Sequence, residues 1–260
     1  MLGAIAGDVI GSCYEFHNIK HKRFPLFSKR SCFTDDTILT CATADWLISG
    51  GEPADFLRKW GLKYQNRTYE NGSVAAFGKG FFEWLKAGKQ GISRMNGCVM
   101  RLSPIPLLVA SPALGQKLGQ ALTLTTHNHP ESIKAVQAYL ETAYLLKAQI
   151  PVPLIKNKIT LKYHYDLGRP IPQIRKTYNK FYCSCEHSVP EAIICALDGH
   201  SFTDCIRNAI SLGGDSDTLA TMAGGLAEIR FGVPRLIQKE TLSRLDNNIL
   251  KLLNKVRERA

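Results

Sequence analysis

The 260-residue sequence has no long uninterrupted hydrophobic run. A membrane-spanning helix needs about 20 mostly apolar residues, and the longest apolar stretch, around Ile133 to Ile155, is broken by Lys134, Glu141, Lys147 and two prolines. No basic segment opens the chain, and Asp8 interrupts the first apolar run before a leader could be completed, so a cytoplasmic protein is expected. Repeats of 20 to 50 residues, Pro/Ser/Gly-rich linkers and low-complexity tracts are missing too, which excludes solenoids, collagen-like chains and extended disorder and leaves one domain over residues 1–260. Period-two alternation is scarce, and Lys158 to Tyr165 is the one segment that reads as a short strand. No second Cys-x-x-Cys completes a zinc site around Cys183-Ser184-Cys185-Glu186-His187, so this cluster reads as a turn with half-buried thiols and all eight cysteines as reduced. Helix-turn-helix, zinc-knuckle and RNP-like aromatic motifs are also lacking, which argues against a nucleic-acid reader.

Apolar residues make up 45% of the chain, enough for one sizeable core, and 33 Lys+Arg against 22 Asp+Glu give a net charge of +11. Such an excess favours an anionic partner without selecting one. Lys20, Lys22, Arg23, Lys29 and Arg30, with His17 and His21, form an acid-free segment that either faces an anion or is a solvated loop. Lys251, Lys255, Arg257 and Arg259 near the C-terminus read as a soluble helix face.

Most apolar positions recur at helical spacing. Ile38, Leu39, Ala42, Trp46 and Leu47 form one stripe, closed by Gly50-Gly51 as a C-cap; Ile133, Val136, Leu140, Ala143 and Tyr144 form a second after Pro130; Leu219, Met222, Ala223, Leu226 and Ala227 form a third. Ser188-Val189-Pro190-Glu191 reads as a further helix start, with proline near the first position. The fold expected is all-α, with ten or more helices.

Two acidic motifs stand at helix starts. Thr34-Asp35-Asp36-Thr37 places two adjacent carboxylates between two hydroxyls, and Gly213-Gly214-Asp215-Ser216-Asp217-Thr218 repeats the formula far along the chain. One aspartate at a helix N-terminus is explained by the helix dipole; a pair repels itself unless a cation lies between. An all-oxygen donor set suits Mg²⁺ or Mn²⁺ rather than zinc, and if the two helix starts converge they supply enough ligands for two ions. The second motif also resembles the nucleophile motif of haloacid-dehalogenase phosphatases, but follows no apolar strand. The first is similar to the aspartate-rich helix of isoprenoid synthases, but lacks its third acid.

Gly3-x3-Gly7-Asp8-x2-Gly11-x3-Glu15, Phe33-Thr34-Asp35-Asp36-Thr37, Asn96-Gly97-x2-Met100-Arg101, Thr126-His127-x-His129-Pro130, Ser188-Val189-Pro190-Glu191-Ala192 and Leu212 to Thr218 occur in that order. Over about residues 1 to 235 this combination resembles the ADP-ribosylglycohydrolase family. The resemblance implies an all-α orthogonal bundle with a binuclear Mg²⁺ centre. Its metal ligands would be Thr34, Asp35, Asp36, Asp215, Asp217 and Thr218, with Glu15 on a flap, Glu15 or Asp36 as catalytic carboxylate, and Asn96, Gly97, Met100 and His127 bordering the substrate. Cys98 departs from the small residue usual at its place. Asp8 reads as a hydrogen-bond partner of the centre rather than a ligand, and Tyr14 and Phe16 beside Glu15 as core aromatics before base-stacking ones. The activity implied is Mg²⁺-dependent removal of ADP-ribose from a modified protein or small conjugate by a monomeric enzyme, arginine N-glycosides being favoured over serine or O-acetyl linkages. A non-catalytic ADP-ribose-binding module and a Mg²⁺-dependent phosphohydrolase are the competing readings.

Overall fold

The structure is a computed structural model that describes residues 1–67, 77–88 and 91–259. Among these, helices follow in the order α1 (Leu2–Gly11), α2 (Asp35–Ser49), α3 (Pro53–Tyr64), α4 (Lys79–Ala87), a 3-10 turn (Asn96–Cys98), α5 (Pro104–Leu108), α6 (Pro112–Leu124), α7 (Pro130–Lys147), α8 (Val152–Tyr163), α9 (Ile171–Thr177), α10 (Cys185–Asp198), α11 (Phe202–Ile210), α12 (Ser216–Phe231), α13 (Arg235–Leu242) and α14 (Asn247–Arg259). The chain is therefore all-α, and its β-type pairing among the described residues is limited to isolated bridges, Ile92 with His127 and Met95 with Ser184.

Close approach of two helices fixes the centre of the molecule. Gly3, Gly7 and Gly11 share one face of α1, and a methyl group added at them would fall 2.5 Å from the Gly224 carbonyl oxygen, 2.1 Å from that of Ala220 and 2.4 Å from the Asp217 Cα. Thus α1 lies backbone against backbone on α12, whose residues Ser216 to Ala227 are all buried. The Met1 ammonium closes the far end of this contact on Glu228, at 2.7 Å. One apolar cluster extends from Met1 and Ile5 through Ile38, Leu140 and Ile193 to Leu226 and Val256. Around it, α2 packs on α3 and α14, and α7 on α6, α8 and α10.

The three stripes read from the sequence are α2, α7 and α12. Two local expectations need correction. Lys158 to Tyr165 is not a strand: residues up to Tyr163 are the end of α8, where Ile155, Ile159 and Tyr163 are buried at four-residue spacing and Leu161 is 68% exposed. Burying a strand face would have required Leu161 inside with Ile159 and Tyr163. α10 begins at Cys185 rather than Ser188, so Pro190 sits inside it, where the helix forgoes one hydrogen bond to the Glu186 carbonyl. No helix among the described residues is long and apolar enough to cross a membrane.

Candidate active site

The starts of α2 and α12 meet beside the end of α1. Asp8, fully buried, accepts hydrogen bonds from the Thr34 N–H (2.9 Å), the Thr34 hydroxyl (2.7 Å), the Thr37 N–H (3.1 Å) and the Thr37 hydroxyl. Those four bonds nearly fill the lone pairs of a carboxylate, so Asp8 fixes the turn entering α2. The Thr34 side chain, not an aspartate, caps α2 by accepting from the Asp36 N–H, and the Asp215 carboxylate makes no capping bond to α12. Asp217 Oδ1 accepts one first-turn bond, from the Thr218 N–H at 2.9 Å, but capping leaves Asp36 and Asp215 unexplained.

Thr218 links the two motifs by donating its hydroxyl to Asp36 Oδ2 at 3.1 Å. The other oxygen, Asp36 Oδ1, is buried with no hydrogen-bond partner. Carboxylate oxygens of Asp8, Asp36 and Asp217 lie within 4.8 Å of one another, as do those of Glu15, Asp215 and Asp217, so Asp217 belongs to both groups. Burial raises the pKa of Asp36, and the charges of Asp8, Asp35 and Asp215 raise it further; Asp217 is raised by burial and by Glu15, Asp36, Asp215 and Asp8. Glu15, half-buried past the end of α1, is pushed up to about 8 by burial and by the charges of Asp215 and Asp8. An unpartnered buried oxygen among crowded carboxylates, with no ammonium or guanidinium paired to them among the described residues, fits a hard divalent cation. Asp35 joins neither oxygen group, although burial and the charges of Asp8, Glu15 and Asp215 raise its pKa as well.

The loop before the 3-10 turn brings further residues in. Asn96 is buried, its backbone N–H bonds the Cys183 carbonyl (2.7 Å), and its side-chain amide donates to Asp215 Oδ2 at 2.7 Å. Gly97 faces the His127 ring, to which a methyl group there would lie 3.7 Å away. His127 is held below its ordinary pKa by burial and by the Arg101 charge, hence neutral at pH 7; its Nδ1 lies 2.6 Å from the Thr126 hydroxyl, which accepts from Arg101. His129, by contrast, caps α7, accepting from the Glu131 N–H. Met100 is placed differently: it is 4% exposed and packs in the apolar core.

Sequence reasoning missed Asn18 and the inward role of Lys20. Asn18 bridges the glycine loop by accepting from the Gly214 N–H and donating to its carbonyl oxygen, and Lys20 donates to the carbonyls of Tyr178 and Leu212. Gly213 and Gly214 have φ of +77° and +70°, a left-handed conformation natural to glycine, and they deliver Asp215 to the site. Lys22 pairs with Asp204, so part of the basic segment secures the loop instead of facing solvent. No residue in the sequence pattern around Asn18 marks it for this task. Of the aromatics beside Glu15, Tyr14 packs edge-on against Phe24, while Phe16 is 72% exposed and stacks on Phe181 at 5.9 Å. Cys185 is buried with its sulfur 3.7 Å from that of Cys98, and the eight thiols are free.

Comparison with known proteins gives concordant results. The family described as ADP-ribosylglycohydrolase matches residues 1–260. The chain is 26% identical over 299 aligned positions to an ADP-ribosylarginine hydrolase, Tri1, of Pseudomonas putida (strain GB-1), covering 100% of this chain and 77% of that one. It is 25% identical over 274 positions to the ADP-ribosyl-[dinitrogen reductase] glycohydrolase of Rhodospirillum rubrum, covering 95% and 89%. A solved structure titled ADP-ribosylglycohydrolase-related protein complex has the same fold, with a TM-score of 0.70 at 19% identity over 99% of this chain and 96% of that one.

Proposed function

The chain belongs to the ADP-ribosylglycohydrolase family, and from that premise we propose that it removes ADP-ribose from arginine side chains of modified proteins in a Mg²⁺-dependent reaction. Similarity to two relatives whose names specify ADP-ribosylarginine and ADP-ribosylated dinitrogen reductase supports the substrate class. The observation that carries the metal dependence is the buried, unpartnered Asp36 Oδ1 beside Asp217. Thr34, Asp35, Asp36, Asp215, Asp217 and Thr218 would hold two Mg²⁺ ions, which supply the positive charge that lets the carboxylates ionise together and polarises ribose hydroxyls.

The remaining work falls to the protein's own groups. Asn96 orients Asp215 through its 2.7 Å hydrogen bond, and the neutral His127 with Gly97 forms the wall that borders the sugar. Glu15, half-buried at the mouth, takes the proton that water gives up as its oxygen bonds to the anomeric carbon. The C–N electron pair departs with the guanidine nitrogen, which takes up the proton that Glu15 received from water. Asp36 shares the charge of the centre and is the alternative proton acceptor.

With Mg²⁺, the protein should release free ADP-ribose from an arginine-ADP-ribosylated protein, and Asp217→Asn should lower the rate by about 100-fold or more, since even partners one shell out from a metal contribute about 10- to 100-fold. Release from serine-linked but not arginine-linked substrate would overturn the linkage. Tight ADP-ribose binding without release from either would make the protein a binding module.

A further inference from the structure

A second concentration of charge, opposite in sign, lies at the other end of α2. Lys59 and Lys63 on α3, and Lys251 and Lys255 on α14, are each four residues apart, so each pair shares a helix face. All four are exposed, and they line one open surface cavity of about 180 Å³ together with Trp60 and Asp45. Like charges at this spacing repel, and here two such pairs oppose each other. Among the described residues only Lys59 has a carboxylate partner, Asp45 at 2.7 Å. Asp246, just before α14, is occupied by the Tyr64 hydroxyl (2.7 Å) and by the backbone N–H groups of Asn248 and Ile249. Lys63 lies 5.9 Å from the ring centroids of both Trp60 and Tyr64, which favour a cation there.

We propose that this cavity is a seat for the phosphate groups of an anionic ligand, separate from the acidic centre and independent of the catalytic reading. Three lysines without a partner anion around a buried indole are the charge arrangement a phosphoanion neutralises. The volume is below the roughly 300–1,000 Å³ of sites that enclose a drug-sized ligand. The cavity therefore takes one or two phosphates end-on, and any organic remainder lies outside. Asp36 and Asp45 are nine residues apart on α2, about 14 Å along the helix, so the two sites do not share a ligand group.

Calorimetric titration of the full chain with pyrophosphate, Mg²⁺ in excess, should show one saturable site. Lys63→Gln/Lys255→Gln should weaken it by at least about tenfold, whereas Asp217→Asn and the exposed Lys86→Gln should leave it unchanged. In parallel, a fluorescent single-stranded oligothymidylate distinguishes the sources. Binding more than tenfold tighter than pyrophosphate, with a salt slope that falls by about 0.7 per lysine removed, assigns the seat to a nucleic-acid backbone; equal or weaker binding assigns it to free phosphoanions. Absence of saturable binding by both probes, or equal loss in Lys86→Gln, overturns the proposal.

Discussion

At the N-terminal end of α2, Asp36 lies among Asp8, Asp215 and Asp217 with no basic side chain paired to it, and burial with mutual repulsion raises its pKa. Nine residues on, Asp45 on the same helix is also penalised by burial, yet the hydrogen bonds from Lys59 (2.7 Å) and the Trp60 indole N–H (2.9 Å) outweigh that penalty and hold it below its ordinary value. One helix thus carries a carboxylate that the fold neutralises and another that has no basic partner among the described residues. A buried acid is a structural element when its partners come from the chain and a ligand site when they do not.

The contrast breaks most readily through Asp8, whose carboxylate accepts four hydrogen bonds from Thr34 and Thr37. Asp8→Ala strands the Thr34 and Thr37 donors in a buried place, and at about 1–3 kcal/mol per unsatisfied group should cost about 3 kcal/mol or more. That corresponds to a fall in Tm of roughly 6 °C or more for a chain of this size, readable by calorimetry. A Tm within 2 °C of wild type would mean that Asp8 is not what sets the turn.

Metal and pH test the acidic end next. Carboxyls whose folded pKa is raised stabilise the fold below their unfolded value, and that stability is lost as pH climbs through the folded value. For the metal-free protein, Tm should therefore drop from about pH 4 upward through pH 8, near which Glu15 titrates. A fixed Mg²⁺ concentration, 100 times the dissociation constant at pH 8, should restore about 2.7 kcal/mol there and less at pH 5, where protons compete for the same oxygens. A Mg²⁺ effect equal at both pH values would show the ion bound elsewhere.

The smallest effect belongs to the basic end. Because Lys59 is 63% exposed, Lys59→Gln should cost no more than about 1 kcal/mol at pH 7. Asp45 has a lowered pKa, so its contribution is present above the ordinary carboxylate range and fades as pH falls through the lowered value. Urea titrations should accordingly show the two proteins converging below about pH 4.

Much of the site was legible because its chemistry is carried by dense local motifs: Thr34 to Thr37 and Asp215 to Thr218 each fit within four residues, and the structure joins them through Thr218 and Asp36. The N-terminal glycines were legible as a motif but not as a mechanism, since their purpose is visible only against the α12 backbone. Asn18 and Lys20 were not legible, because each acts on backbone atoms more than 150 residues away, and a backbone acceptor leaves no residue type to read. Met100 belongs to a recognisable motif, yet its side chain serves the core. The misread strand at Lys158 to Tyr165 fails for a related reason: its residues satisfy both a two-residue and a four-residue period, and only the neighbouring helices decide which face is covered.

By itself, then, the sequence determined the all-α class, the principal helices and the two acidic helix starts, because periodicity, caps and short-range charge repulsion act over a few residues. The tertiary structure alone decided that Asp36 Oδ1 would be left without a partner, that Lys20 would turn inward, and that Lys59, Lys63, Lys251 and Lys255 would face one cavity. Each depends on which distant backbone or helix face arrives beside it, and the desolvation that raises the pKa of Asp36 exists only once the chain has closed around it.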